Sequence, residues 1–286
     1  MNNIQARYTG SIVVIVGIVT ASVVSFDWDV LFFGPPSIQT VEAYGNDKPG
    51  AIFDHSVLDE LLHQYVSGDG LVDYAKLSAD ATELDRYIAS LADAPFDRLG
   101  RDEKLAFLIN AYNACTLRLI LDHYPTKTIK DIPSAKRWQA RRWTIAGDLV
   151  SLDDLEHKWI RPKFAEPRVH FALVCAAMGC PPLRNEAYAG ARLDEQLDAQ
   201  ARYVHEHGRW LRLEPNKGVV HLTKLYKWYG DDFRQTGRSI LEFAARYSKP
   251  LRDVMDRSKS PRIEWLNYDW SLNSIDESTN SRGTDD

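Results

Sequence analysis

The segment from about Arg101 to His123 constrains this chain more than any other. Leu105, Leu108, Ile109, Tyr112, Thr116, Leu119 and Ile120 recur at intervals of three and four, the stripe by which a helix faces a core. A neighbouring stripe carries Asn110 and Asn113, three apart, with Leu117. Asparagine inside a helix is locally unfavourable because its amide competes for backbone hydrogen bonds, and a partly buried amide needs partners of its own. The pair is expected to tie the helix to an adjacent loop or strand, or else to position a substrate. Tyr124-Pro125 closes the segment.

Around this helix the chain alternates short elements. Val57, Leu58, Leu61, Leu62 and Tyr65 predict a helix over Asp54–Tyr65, and Leu84, Tyr87, Ile88 and Leu91 another over about Ala79–Ala92. Ile145-Ala-Gly-Asp148 reads as a turn. Ser151 is placed to cap a helix that ends at Arg161-Pro162, with Asp154 at the capping-box position. Arg168–Cys175 is nearly continuously apolar and predicts a strand covered on both faces. Leu193, Leu197, Ala201 and Val204 mark a helix, Gly218–Leu222 a strand, Ile240–Tyr247 a helix, and the alternation through Ile263, Trp265 and Asn267 a closing strand. With no internal repeat or long spacer, the fold class is α+β: a single compact domain with a small central sheet flanked by several helices. The boundaries are residues 1–25 as signal peptide or membrane anchor, 26–50 as linker, 51–273 as the domain and 274–286 as a disordered tail.

The beginning of the chain sets the expected location. Arg7 is the only charged residue before Asp27, and Ser11–Ser25 is an unbroken run of apolar and small residues, the order of a signal peptide with cleavage after Ser25. The run is short of the roughly 20 residues that span a bilayer, and extending it would bring Asp27 and Asp29 to the lipid. Export to the periplasm or cell envelope is the reading, with an uncleaved anchor and membrane association through residues 11–25 as its variant. A net charge of −5 argues against a nucleic-acid partner. The basic cluster Lys136-Arg137 and Arg141-Arg142 around Trp138 reads as a solvated turn. The remaining partner class is a small molecule or peptide.

Chemistry is concentrated in few residues. Cys115 and Cys175 read as small core residues, whereas Cys180 sits between Gly179 and Pro181-Pro182 in a rigid connection. Cys180 is the candidate nucleophile, held as a thiolate by His157 or His170. On a straight strand His170 and Cys180 would lie about 20 Å or more apart, so that pairing needs the chain to fold back. Glu156 or Asp269 would orient the base. Neighbours on a helix point about 100° apart, so Glu156 is better placed for His170 than for His157. The bland alternatives are a structural thiol, or a Cys175–Cys180 disulfide, with hydrogen-bonded histidines. His157, His170, Cys180 and Glu156 could also serve zinc, although no usual zinc spacing occurs and the His205–His207 pair does not share a helical face. No motif calls for a cofactor, and Gly68-Asp-Gly70 lacks the rest of a phosphate loop.

Several strings together resemble a widespread family of domains of unknown function in bacteria and plants, the one numbered five hundred and forty-seven. They are Phe107–Asn113, Ser151–His157, His170–Cys175, Gly179–Leu183 and Tyr268–Asn273, and the likeness spans roughly residues 55–273. The resemblance implies that Asn110, Asn113, Glu156, His157, His170, Cys180, Asp269 and Asn273 converge, on a site or in a structural network. It implies no reaction. The functional expectation is a cysteine-dependent hydrolase or acyl transferase acting on a peptide, amide or envelope component. The alternatives are a noncatalytic binding domain whose groove is lined by Trp228, Tyr229, Trp265 and Trp270, and a zinc-binding protein.

The export reading has a direct test. N-terminal sequencing of protein recovered from the cell envelope should begin close to Phe26, and an intact Met1 on soluble cytoplasmic protein would overturn it.

Overall fold

Every residue of the central helix Arg101–Leu121 from Lys104 to Leu117 is buried. The apolar stripe read from the spacing is thus one covered side among several. Ala106, Ala111, Ala114 and Cys115 fill the other sides, and their small side chains let neighbouring elements approach closely. The computed structural model describes residues 35–236, 239–257 and 261–275. The helix Ala81–Ser90 packs beside the central helix, as do the turns at Leu155–Ile160 and Gly190–Arg192 and the helix Leu193–Glu206, while Ser56–Tyr65 packs on Ala81–Ser90.

Two small sheets complete a single compact α+β domain flanked by helices. Strands β1 (Trp143–Ile145) and β2 (Asp148–Val150) form an antiparallel ribbon, with Trp143 opposite Val150. Its turn is Ala146-Gly147, with φ of 48° and 86°, and positive φ at both centres is the geometry that matches strand twist in a tight hairpin. Strands β3 (Leu211–Glu214) and β4 (Val219–Leu222) are antiparallel, and β5 (Arg262–Trp265) joins β4 in parallel. The crossover between β4 and β5 carries the helices Gly230–Thr236, Ile240–Ala245 and Lys249–Arg257.

Burial is divided between two apolar clusters. One surrounds the central helix; the other lies under the three-stranded sheet and the C-terminal helices. The stretch Val169–Val174 crosses between them, with Phe171 in the second and its neighbours in the first. This stretch corrects a sequence expectation, because Arg168–Cys175 is not a strand. Pro167–Phe171 is a 3₁₀ turn and the chain then runs on without regular structure into left-handed backbone at Ala176, which has φ 60°. The segment is as buried as a central strand, and an apolar run alone does not separate the two. Its polar groups are met by the central helix instead of a neighbouring strand. Asn113 donates to the Ala172 carbonyl (3.0 Å) and accepts from the Val174 amide (3.0 Å).

Part of the stretch expected to be a linker lies along the domain. The Val41 and Ala43 amides donate to the carbonyls of Pro162 and Lys163, each at 2.9 Å, and Tyr44 packs on Phe164 and Phe96. Residues 1–25, expected as signal peptide or membrane anchor, and residues 276–286 of the expected tail lie outside the described residues. Membrane association through residues 11–25 is corrected: among the described residues no helix is long and apolar enough to cross a membrane, and that segment is not among them.

Replacing Asn113 by leucine removes both bonds and leaves a buried amide and a buried carbonyl unmet. The variant should lose about 2–4 kcal/mol of unfolding free energy. Denaturant titration checks this, and an unchanged midpoint would remove the asparagine from the scaffold.

Candidate functional site

Ser151 opens the segment that carries the first site residues. Its hydroxyl accepts from the Asp154 amide (3.0 Å), and Asp154 accepts from the Ser151 amide (3.1 Å), a reciprocal cap. The helix then widens into a π turn over Leu155–Ile160, where the Arg161 amide donates to the Glu156 carbonyl (2.9 Å), five residues back. Such widened turns recur at functional sites because they re-aim side chains. Here the turn directs Glu156, His157 and Arg161 to the seam between the two apolar clusters.

Glu156 is buried and stays ionised. Burial works against the charge, but His157, His170, the Tyr229 hydroxyl and Arg161 together hold its carboxyl below the ordinary range. Tyr112 and Tyr229 donate their hydroxyls to it. Both are held far above the usual tyrosine range, by burial first and then by the carboxylate, so they remain donors. Beside it the Asp153 carboxyl is pushed up, chiefly by burial, with His157 opposing and the Glu156 charge adding.

A second buried assembly fixes His170. Arg161 makes a two-pronged pair with Asp232, Nε to Oδ2 at 2.7 Å and Nη2 to Oδ1 at 3.0 Å. Asp232 also meets His170 Nε2 at 2.8 Å. Its carboxyl is lowered to about 2: burial opposes ionisation, and the hydrogen bonds from His170 and Arg161 overcome it. An ionised carboxylate only accepts, so His170 carries its proton on Nε2. The ring stacks on Tyr229 with centroids 3.8 Å apart. Burial lowers the His170 pKa, with Asp232 working in the opposite direction. Arg161 Nη1 lies 3.0 Å from His157 Nδ1; as arginine only donates, Nδ1 is the acceptor and the proton of a neutral ring sits on Nε2, 3.7 Å from Asp153.

Cys180 is not a free thiol. It forms a disulfide with Cys175, and its sulfur accepts from the Cys175 amide (3.1 Å) and the Tyr268 hydroxyl (3.0 Å). Neither partner is an imidazole, so the thiolate–histidine pairing expected from the sequence has no counterpart in this geometry. The loop between the cysteines is held by the C-terminal segment: the Met178 amide donates to Ser271 (2.8 Å), Gly179 to Asp269 (2.7 Å), and Ala176 accepts from Asn273 (3.1 Å). Gly179 is required here, because a Cβ would lie 2.8 Å from the Asp269 nitrogen and 2.9 Å from Tyr268 Cγ.

These groups open onto one cleft of about 110 Å³. Its floor holds Tyr112, Asp153, Glu156, His157 and His170, and the disulfide forms part of a wall. Trp138, Trp228, Tyr229, Tyr268 and Trp270 supply its aromatic side. Tyr268 packs between Trp228 (4.8 Å) and Trp270 (4.7 Å), and Trp138 meets Trp270 edge to face. Cations cover two of these rings, Lys130 Nζ at 3.9 Å over Trp270 and Arg137 at 4.9 Å over Trp138. Acidic floor, aromatic wall and basic rim follow one another.

The structure brings Glu156, His157, His170 and Cys180 to the cleft and leaves four residues outside its lining. Asp269 is exposed and accepts from the amide and hydroxyl of Ser271 (2.9 and 2.6 Å), so it does not orient a histidine. Asn110 clasps Tyr188, donating to its carbonyl (2.7 Å) and accepting from its amide (2.9 Å). Asn113 clasps the Ala172–Val174 stretch as above. Asn273 accepts from the Tyr74 hydroxyl (2.8 Å) and donates to the Gly70 carbonyl (3.3 Å). Trp265 of the expected groove lines a different surface hollow. Sequence reasoning missed Arg161 and Asp232, and placed Trp138 in a solvated turn. The one available signal was helical spacing, since Arg161 follows His157 by four. For zinc there is no supporting group: among the described residues no three His, Cys, Asp or Glu side chains are placed to hold a metal ion.

Residues 96–203 match the family described as "Protein of unknown function, DUF547", a domain found in bacteria and plants. The resemblance read from the sequence therefore holds over a stretch that includes Asn110, Asn113, Glu156, His157, His170 and Cys180, while Asp232, Tyr268, Asp269 and Asn273 lie beyond it. No curated protein and no solved structure matches the chain.

The buried histidines predict an acid limit. Burial lowers the His55 and His205 pKa values to about 4, and that of His170 is lowered as well. Between the unfolded value near 6.5 and about 4 the unfolded chain binds more protons, so stability is full above that window and falls as pH drops through it. Asp232 adds a further loss as pH falls from about 4 towards 2. Unfolding free energy measured from pH 7.5 to 4 should decline, and His205→Gln should flatten the decline. A level profile would refute the buried-neutral assignment.

Proposed function

We propose that this chain is a ligand-binding domain, not a hydrolase or acyl transferase, and that it takes a small molecule or a short peptide segment into the aromatic-walled cleft. The observation that carries the reading is the cleft itself: five aromatic side chains face a floor of buried and half-buried polar groups, of which Glu156, His157 and His170 are held by hydrogen bonds from or to Tyr112, Tyr229, Arg161 and Asp232. That combination, apolar walls with a few placed polar groups, is the usual character of ligand sites. The disulfide supports it from the other side, because a sulfur bonded to sulfur is no nucleophile. His170 likewise serves Asp232. We propose further that the domain works outside the cytoplasm, in the periplasm or cell envelope, for which the N-terminal apolar run and the disulfide both speak.

Tryptophan fluorescence of the purified chain, titrated with amino acids, short peptides and cell-wall glycan fragments, should identify a saturable ligand. Trp228→Ala or Trp270→Ala should weaken it by about tenfold or more, the cost of losing a central aromatic contact. Binding indifferent to both substitutions would displace the cleft. The hydrolase reading would return if iodoacetamide labelled Cys180 in native, unreduced protein with an apparent pKa well below 8.5 that depended on His157 or His170.

A further inference from the structure

The disulfide is asymmetric in its surroundings. Cys180 is 4% exposed and its sulfur already accepts two hydrogen bonds, from the Cys175 amide and the Tyr268 hydroxyl. Cys175 is only half-buried and contributes to the cleft surface, with the Tyr268 hydroxyl 3.3 Å from its sulfur. Both cysteines line the cleft, but Cys175 is the more exposed of the two, and the Cys180 sulfur is the one that sits where negative charge would be received by fixed donors.

We propose that this pair is a thiol–disulfide exchange site, with Cys175 as the attacked sulfur and Cys180 as the leaving thiolate, and with thiols that enter the cleft as its reactants. A thiolate RS⁻ attacks Cys175 Sγ; the new RS–Sγ bond forms as the Cys175–Cys180 bond breaks, and the electron pair leaves on Cys180 Sγ. A second RS⁻ attacks the sulfur of the first, releasing RS–SR and the Cys175 thiolate. Two thiols are oxidised to one disulfide, and the protein disulfide is reduced to two thiols. The inference goes beyond ligand binding and does not depend on it.

Three features favour this assignment over an inert staple. Tyr268 is held far above the usual tyrosine range by burial, with the Glu156 charge adding, so its hydroxyl keeps its proton and can stabilise the departing thiolate. The loop between the cysteines is fixed at Ala176, Met178 and Gly179 by bonds to the C-terminal segment. Both sulfurs therefore stay in reach after reduction, and the step is reversible. The cleft in front of Cys175 gives an incoming thiol a path.

The test uses the full chain, purified without reductant, and reduced glutathione as the thiol. After acid quenching, peptide mapping should find glutathione on Cys175 and a free thiol at Cys180, with the buried Cys115 unmodified. Tyr268→Phe keeps the ring between Trp228 and Trp270 and removes the donor. It should slow exchange by about tenfold, the effect of one hydrogen bond to developing charge, and raise the Cys180 thiol pKa measured in Cys175→Ser. An adduct on Cys180 instead, reaction only after denaturant, or wild-type exchange by Tyr268→Phe would each overturn the proposal. Tryptophan fluorescence reads ligand binding separately, so failure of exchange leaves the binding reading standing.

Discussion

A helix covered on every side has no water to turn its polar groups towards, and much of this structure follows from that constraint. Asn110, Asn113 and Thr116 lie within the buried run of the central helix. An asparagine amide offers one acceptor and two donors, the complement of a peptide's own N–H and C=O. Asn113 therefore serves Ala172 and Val174 as a neighbouring strand would, and Asn110 does the same for Tyr188. The helix-propensity cost of asparagine is below about 1 kcal/mol, whereas leaving each buried partner unmet costs about 1–3 kcal/mol. Tertiary gain wins, and the geometry of the site is inherited from it. The segment fixed by Asn113 leads directly to Cys175, and Asn273 holds the next residue, Ala176, from the other side.

The same accounting separates the charges below the cleft. Arg161 and Asp232 cancel, and His170 is committed to Asp232 through Nε2. A buried ion pair of this kind adds little net stability beyond its desolvation cost, but breaking it leaves a bare charge, so the geometry is strongly held. Glu156 lies next to this pair with its own tyrosine donors and remains the buried negative charge facing the cleft. His170 is thereby a fixed part of the floor. A histidine in a suggestive sequence context here has its Nε2 taken by a carboxylate.

What was legible in the sequence depended on whether local pattern or distant partners decide the outcome. The helix at Arg101–Leu121, the cap at Ser151, the turn at Ala146-Gly147 and the α+β class all follow from spacing and turn chemistry. Arg168–Cys175 does not, because an apolar run reports burial and is silent about whether its hydrogen bonds go to a strand or to an asparagine on a helix. The convergence of Glu156, His157, His170 and Cys180 could be expected from the family strings. The cysteine pairing could not be fixed, since a Cys175–Cys180 disulfide stood beside the reading of Cys175 as a core thiol and Cys180 as a nucleophile, and only closure of the loop between them decides. Asp232 was invisible for another reason. It lies 62 residues from His170 in a polar helix start whose sequence resembles any solvated turn.

The cleft lies where the two apolar clusters meet, and Tyr268 shows what that placement achieves. Its ring packs against both clusters and sits between Trp228 and Trp270, while its hydroxyl reaches both sulfurs. A side chain interior to either cluster would be fully enclosed and could not face a ligand. One on the open surface would lack the burial that keeps its proton and fixes its direction. Only a seam supplies low dielectric on two sides and an opening on the third. Gly179 makes the arrangement reachable, since any side chain there would push Tyr268 and Asp269 away from the disulfide. Aromatic wall, buried hydroxyl and sulfur pair are thus one mechanical unit, and a ligand that displaces the Tyr268 ring must also change the hydrogen bonding of the disulfide beside it.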